Sequence, residues 1–170
     1  MPLLLVTTDQ GKEHTAIEEI PDCLYRYDQE VKVEPTQFRG VLKVVTSMPA
    51  REAARIIRSC WTSHVRQVIP VDVVVPADMD SIVRGALELA RGASGTIAVR
   101  CARRGGKVES SKRVEEVVGA ALVERLGLKV SLRDPDHLLR VEVVGDEAYL
   151  SLLSREDLKP VERRWPPRTA

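Results

Sequence analysis

The chain has 170 residues, enough for one large domain or two small ones, with 44% hydrophobic and 30% charged residues. That balance excludes a disordered chain, and no apolar run approaches a membrane span, so no membrane association is expected. The formal net charge of +1 hides an asymmetry. Acids crowd residues 1–35, while cations collect between residues 100 and 113 and again around Arg163, Arg164 and Arg168.

LLLVTT (3–8) reads as a short apolar strand. Thr8, Asp9, Gln10 and Gly11 then turn into a helix with Ala16, Ile17 and Ile20 on one face. A weakly alternating strand is expected around 24–34 and another at GVLKVV (40–45). Thr46 and Ser47 are placed to cap a helix with Pro49 in its first turn and a stripe of Ala53, Ile56, Ile57 and Cys60. VRQVIPVDVVV (65–75) closes the unit as a strand, and Pro70 marks it as an edge or a bulge. This order is the ferredoxin-like βαββαβ pattern of an α+β fold.

Pro76, Ala77 and Asp78 mark a junction. Asp78 or Asp80 caps a helix with Val83, Ala86, Leu87 and Ala90 on one face, stopped at Gly92. TIAVRC (96–101) is a strand running into a basic loop, and a longer helix extends from Ser111 to Gly127. Strands follow at 129–132, 138–144 and 147–152, the last two joined by Gly145-Asp146. The resulting division is 1–76, 77–153 and a basic, Pro-rich, flexible tail over 154–170.

No enzyme constellation is present: GxSxG, GxxxxGK[ST], HExxH and a strand-following GxGxxG are all missing. No catalytic residue, cofactor or metal site is therefore expected. Asp134 and Asp136 around Pro135 read as a polar turn. Cys101 lies beside arginines that could activate a thiol, but strand alternation aims it at the core. Cys23, Cys60 and Cys101 are odd in number and widely spaced, and His14, His64 and His137 form no ligand-spaced pair. No disulfide framework or zinc site is expected, and a reducing cytosol is the default location. With aromatics at 4%, a base-stacking aromatic platform is also disfavoured.

The stretch RCARRGGKVESSK (100–112) breaks local preference. Arg100, Arg103, Arg104, Lys107, Lys112 and Arg113 face only Glu109. Ser110 or Ser111 can cap the helix, and cations in its first turn add to the positive end of its dipole, making an anion site. Gly105 and Gly106 would let the backbone approach a phosphate, and the cations supply charge-assisted donors.

The sequence from about 80 to 152 resembles the THUMP domain, a tRNA-binding module. The resemblance rests on TIAVRCARRGGKVESSKRVEEVVGAAL, KVSLRDPD (129–136) and RVEVVGDEAYL (140–150). It implies that the preceding segment is the ferredoxin-like partner of such domains, and that the pair grips the acceptor stem and 3′ end of tRNA. Arg100, Arg103, Arg104, Lys107, Ser111, Lys112 and Arg113 match the family's basic loop and helix start, with Arg39 and Lys43 as secondary contacts. Asp134-Pro135-Asp136 matches a structural signature, and Gly119 is expected to allow close helix–sheet packing. With no methyltransferase or pyrophosphatase domain before Ala170, the chain is similar to stand-alone THUMP proteins. These include the adaptor that helps an RNA cytidine acetyltransferase make N(4)-acetylcytidine, and its archaeal relatives. The expected role is non-catalytic delivery of tRNA to a modifying enzyme. The alternative is a protein–protein adaptor whose basic loop docks an acidic partner.

Overall fold

Alternating apolar residues in short strands and apolar stripes on the helices between some of them build two sheets and four α-helices in the computed structural model, which describes residues 1–162. The first unit runs β1 (Leu3–Thr8), α1 (Glu13–Leu24), β2 (Lys32–Pro35), β3 (Val41–Val45), α2 (Ala50–Ser59) and β4 (Val65–Val71). Its antiparallel sheet has the order β2-β3-β1-β4, the ferredoxin-like arrangement expected from the βαββαβ pattern. Leu4, Val6, Leu42 and Val44 meet Ala16, Ile20 and Leu24 of α1 and Ala53, Ala54 and Ile57 of α2 in one buried cluster. Pro70 sits in edge strand β4, where its missing N–H disrupts no ladder.

Three local expectations fail in this unit. The chain stays helical to Leu24, so the strand expected at 24–34 shrinks to Lys32–Pro35. Thr46 and Ser47 do not cap α2, whose N-cap is Pro49 without a side-chain bond. They instead hold the buried carboxylate of Asp28. The Thr46 hydroxyl donates to Asp28 Oδ2 at 2.6 Å and the Ser47 N–H to the same oxygen at 2.8 Å, while the Glu30 N–H donates to Oδ1 at 3.0 Å. Finally, Cys23 and Cys60 form a disulfide, contrary to the expectation that no disulfide framework is present. Packing α1 beside α2 brings their C-terminal ends together, with the two Cα atoms 6.0 Å apart, within bridging range.

The second unit, Asp72–Leu158, contains β5 (Val73–Pro76), α3 (Met79–Ala90), β6 (Thr96–Arg104), α4 (Ser111–Leu126), β7 (Lys129–Val130), β8 (His137–Val144) and β9 (Glu147–Leu153). A 3₁₀ turn follows at Glu156–Leu158. Sheet order is β5-β9-β8-β6-β7; β6 runs parallel to both neighbours, and α4 supplies the crossover that parallel pairing needs. The apolar run 65–75 is therefore two strands, not one. Asp72 separates them: its N–H donates to the Leu150 carbonyl and its carboxylate accepts the Leu152 N–H at 2.8 Å, starting β5 on β9. The chain passes between units at Val71–Asp72, a few residues before the junction that Pro76 suggests from sequence.

α3 and α4 cover one face of this sheet, burying Ile82, Ala86, Val114, Val118 and Leu122 against Ile97, Leu139, Val141 and Leu150. Gly119, expected at a close contact, has nothing within 4 Å of where a Cβ would stand. Gly85 of α3 occupies that role, since a Cβ there would meet Leu150 and Val75 at 3.2 and 3.3 Å. In the segment expected to be a loose tail, Val161 packs on the first core and the Glu162 N–H donates to the Arg58 carbonyl at 2.8 Å. Arg163, Arg164, Pro166, Pro167 and Arg168 lie outside the described residues.

Hydrogen bonds from Thr46, Ser47 and Glu30, led by that of the Thr46 hydroxyl, lower the Asp28 pKa from 3.8 to about 2. A carboxyl depressed in the folded state stabilises it above the ordinary carboxylate range and loses that contribution as pH falls toward the folded value. Thermal melts over descending pH should show wild type losing stability more steeply below about pH 4 than Asp28→Asn. Equal slopes would remove Asp28 from the acid response.

Candidate nucleic-acid interface

The cations singled out in the sequence do not form one loop. β6 continues through Arg104, three residues beyond the expected strand end, because it pairs with β8 along its length from Ile97↔His137 to Arg104↔Val144. Arg100, Arg103 and Arg104 are thus strand residues, and strand alternation separates them. Ile97, Val99 and Cys101 face the helix layer, and Arg103 continues that series, exposed at the strand end. Ala98, Arg100, Ala102 and Arg104 face the other side of the sheet.

Arg104 is already committed. Its guanidinium donates to Glu142 Oε2 at 3.0 Å, and Arg140 grips the other oxygen at 2.6 Å. Glu142 is only 1% exposed, and a buried carboxylate requires such partners. Arg104, a candidate phosphate contact from sequence, is thus held by Glu142 with its side chain 30% exposed. Arg100, Arg103, Lys107 and Lys112 are exposed and form no ion pair among the described residues. Arg113 reaches Glu116 only at 3.9 Å, with both side chains more than half exposed.

The chain between β6 and α4 is tied down by its own backbone. The Gly145 N–H donates to the Arg104 carbonyl at 2.7 Å, and the Lys107 N–H to the Ala77 carbonyl at 3.2 Å. Between them Gly106, at φ +85°, fits where a Cβ would strike Val143 at 2.6 Å and the Gly145 carbonyl at 3.0 Å. Its missing side chain serves this internal packing. Val108 is buried in the core, and Lys107 before it is exposed.

The Lys107–Ala77 bond sets the start of α4 beside the start of α3, and the two ends differ chemically. Asp78 caps α3, accepting the Ser81 N–H at 2.8 Å and its hydroxyl at 3.0 Å. These bonds hold Asp78 below its ordinary pKa, with Arg84 and Lys107 adding to the effect. The positive end of α3 therefore already has an anion. The N-cap of α4 is Ser110, whose neutral hydroxyl accepts the Arg113 N–H at 3.0 Å, and its first turn has no acid. Lys112 and Arg113 sit there instead, so this helix end remains positive.

Ser111, a sequence candidate, is half-buried as the first residue of α4. Burial pushes the Cys101 thiol up to about 11, with Ser111 opposing the shift. A thiol so raised is not an activated nucleophile. Glu115 is also used internally, accepting the Cys101 backbone N–H at 3.1 Å. Asp136 accepts the Thr96 N–H at 2.9 Å and returns its own N–H to the Thr96 hydroxyl at 2.9 Å, so the Asp134-Pro135-Asp136 turn fastens β8 to β6. Arg39 is exposed before β3, and half-buried Lys43 lies within β3 across from Glu34 and Leu5. Both belong to the first unit. A groove of about 760 Å³ between α3 and α4 balances Arg84, Arg113 and Arg125 against Asp80, Glu116 and Glu124. Among the described residues, no His, Cys, Asp or Glu group is arranged to hold a metal ion, and no helix is long and apolar enough to cross a membrane.

Residues 76–153 match the THUMP domain. Over 134 residues the chain is 29% identical to the probable tRNA sulfurtransferase of Methanocaldococcus jannaschii, covering 74% of this chain and 34% of that protein. Over 73 residues it is 37% identical to the tRNA (guanine(6)-N2)-methyltransferase of Thermus thermophilus, covering 43% of this chain and 21% of that protein. The crystal structure of TrmN from Thermus thermophilus shares the fold with a TM-score of 0.70 at 25% identity, over 98% of this chain and 48% of that one. The chain thus spans about a third or less of these two curated relatives.

Arg103 and Arg104, adjacent in sequence, should separate cleanly on substitution. Arg104→Ala removes a charged hydrogen bond from buried Glu142 and should cost about 1.5–3 kcal/mol in chemical denaturation. Arg103→Ala should change stability by less than about 0.5 kcal/mol. Equal losses would mean that alternation does not divide the two side chains.

Proposed function

We propose that this chain, which carries a THUMP domain over residues 76–153, binds tRNA and presents it to a separate tRNA-modifying enzyme. The phosphate contacts are assigned to Arg103, Lys107, Lys112 and Arg113 around the open N-terminus of α4, with Arg100 on the other sheet face as a further contact. Arg39 and Lys43 extend the footprint on the first unit. The observation that carries this reading is the uncompensated positive charge at that helix end. Ser110 caps it without charge, no acid occupies its first turn, and Arg103, Lys107 and Lys112 have no ion-pair partner among the described residues.

The names of the relatives support tRNA as the ligand, since one is a tRNA sulfurtransferase and another a tRNA methyltransferase. The acceptor stem and 3′ end are the part of tRNA proposed to be gripped, in the cytoplasm. The chain itself is read as non-catalytic, the chemistry being left to a partner such as an RNA cytidine acetyltransferase forming N(4)-acetylcytidine. Thiol chemistry lacks support here, because burial raises Cys101 away from its reactive form.

Filter-binding titrations of tRNA across a salt series test the phosphate assignment. Arg103→Ala/Lys112→Ala should weaken binding and flatten the dependence of log K on log salt by about one unit for each phosphate no longer neutralised. Unchanged affinity and slope in this folded variant would overturn the site. The partner role has its own readout: purified cytidine acetyltransferase should acetylate tRNA faster with the chain present. No acceleration would remove that enzyme as the partner.

A further inference from the structure

Aromatic residues are scarce in this chain, and their placement is uneven. Tyr149 is buried, but Tyr25, Tyr27 and Trp61 are 54%, 58% and 60% exposed. All three belong to one end of the first unit. Tyr25 closes α1, Tyr27 follows it, and Trp61 comes directly after α2. The Cys23–Cys60 disulfide fastens these two helix ends, with 6.0 Å between its Cα atoms. Chain geometry then keeps the Cα atoms of Tyr25 and Trp61 within roughly 15 Å of each other.

The backbone beneath each ring is fixed. The Tyr25 N–H donates to the Pro21 carbonyl at 2.7 Å and the Tyr27 N–H to the Leu24 carbonyl at 2.8 Å. The next residue after Tyr27 is the buried, hydrogen-bonded Asp28, while Trp61 lies between disulfide-bonded Cys60 and fully buried Thr62. Ordered backbone carrying exposed rings loses little entropy when it binds a flat partner.

Charge selects the partner. The Arg26 guanidinium lies over the Tyr27 ring, 5.9 Å from its centroid. On α2, Arg51 and Arg55 are exposed one turn apart with exposed Glu52 between them, whereas α1 exposes Glu18 and Asp22 and has no lysine or arginine. A phosphate backbone is therefore favoured along α2 and disfavoured along α1. We propose that Tyr25, Tyr27 and Trp61 form a stacking surface for unpaired nucleobases, with Arg26 and Arg55 neutralising the adjoining phosphates of a single-stranded RNA segment. This rests on the tRNA-binding reading and adds to it a second contact, chemically distinct from the helix end in the THUMP domain. Aromatic rings and neighbouring arginines are the combination that single-strand binding surfaces use.

The test uses the full-length chain with Trp165→Phe, leaving Trp61 as the sole tryptophan, and a hexacytidylate RNA as probe. Hexacytidylate should quench Trp61 fluorescence. By anisotropy of the labelled RNA, Trp61→Ala and Tyr27→Ala should each bind roughly tenfold more weakly, whereas Trp61→Phe and Tyr27→Phe should retain affinity. Melting temperatures identify any variant weakened by misfolding, and the phenylalanine variants then decide the matter. Arg103→Ala/Lys112→Ala should leave the quenching intact while weakening intact tRNA. Binding without quenching, or equal affinities for the alanine and phenylalanine variants, would overturn the stacking surface, and the latter would point to a protein partner there. Quenching by hexacytidylate with no binding of intact tRNA would sink the tRNA reading and leave the stacking surface standing.

Discussion

The bond from the Lys107 N–H to the Ala77 carbonyl decides what the basic stretch becomes. A cationic loop left to itself would spread its charges through solvent. Here Gly106 fills a space that no side chain could enter, Gly145 holds the end of β6, and Lys107 is fastened to the entrance of α3. Those restraints leave α4 only one place to begin. Its first turn, with Ser110, Lys112 and Arg113, is consequently presented beside an α3 end that Asp78 has already closed.

This arrangement turns sequence neighbours into residues with unrelated duties. Pairing of β6 with β8 extends the strand through Arg104, so alternation assigns Arg103 to the helix side and Arg104 to the opposite face. Arg104 then stabilises Glu142 together with Arg140. Burial of one carboxylate thus engages a cation of the basic stretch in an internal pair. Arg100, Arg103, Lys107 and Lys112 stay exposed without an ion pair among the described residues.

Much of the fold is legible in local chemistry. Asp78 and Ser110 cap their helices, Gly127 ends α4 in a left-handed conformation, and Gly145-Asp146 turns β8 into β9. Each of these depends on residues close in sequence. The features that sequence alone does not reveal depend on distant ones. The burial of Glu142 needs Arg104, 38 residues away, beside its near neighbour Arg140, and Asp28 needs Thr46 and Ser47. Cys23 and Cys60 meet across a separation of 37 residues, which no spacing rule could reveal. Gly119 looks like a packing glycine because it lies mid-helix, whereas the tight contact is at Gly85 on the other helix. Low aromatic content likewise suggests no aromatic surface, because composition carries no information about where exposed rings gather.

An electrostatic difference between two neighbouring helix ends underlies the proposed RNA binding, and hydrogen–deuterium exchange of the chain with and without tRNA reads both ends at once. Bound tRNA is expected to slow exchange over 103–114, the end of β6 and the first turn of α4, while leaving the Asp78-capped start of α3 unchanged. Slowed exchange at α3 with none at the start of α4 would contradict it.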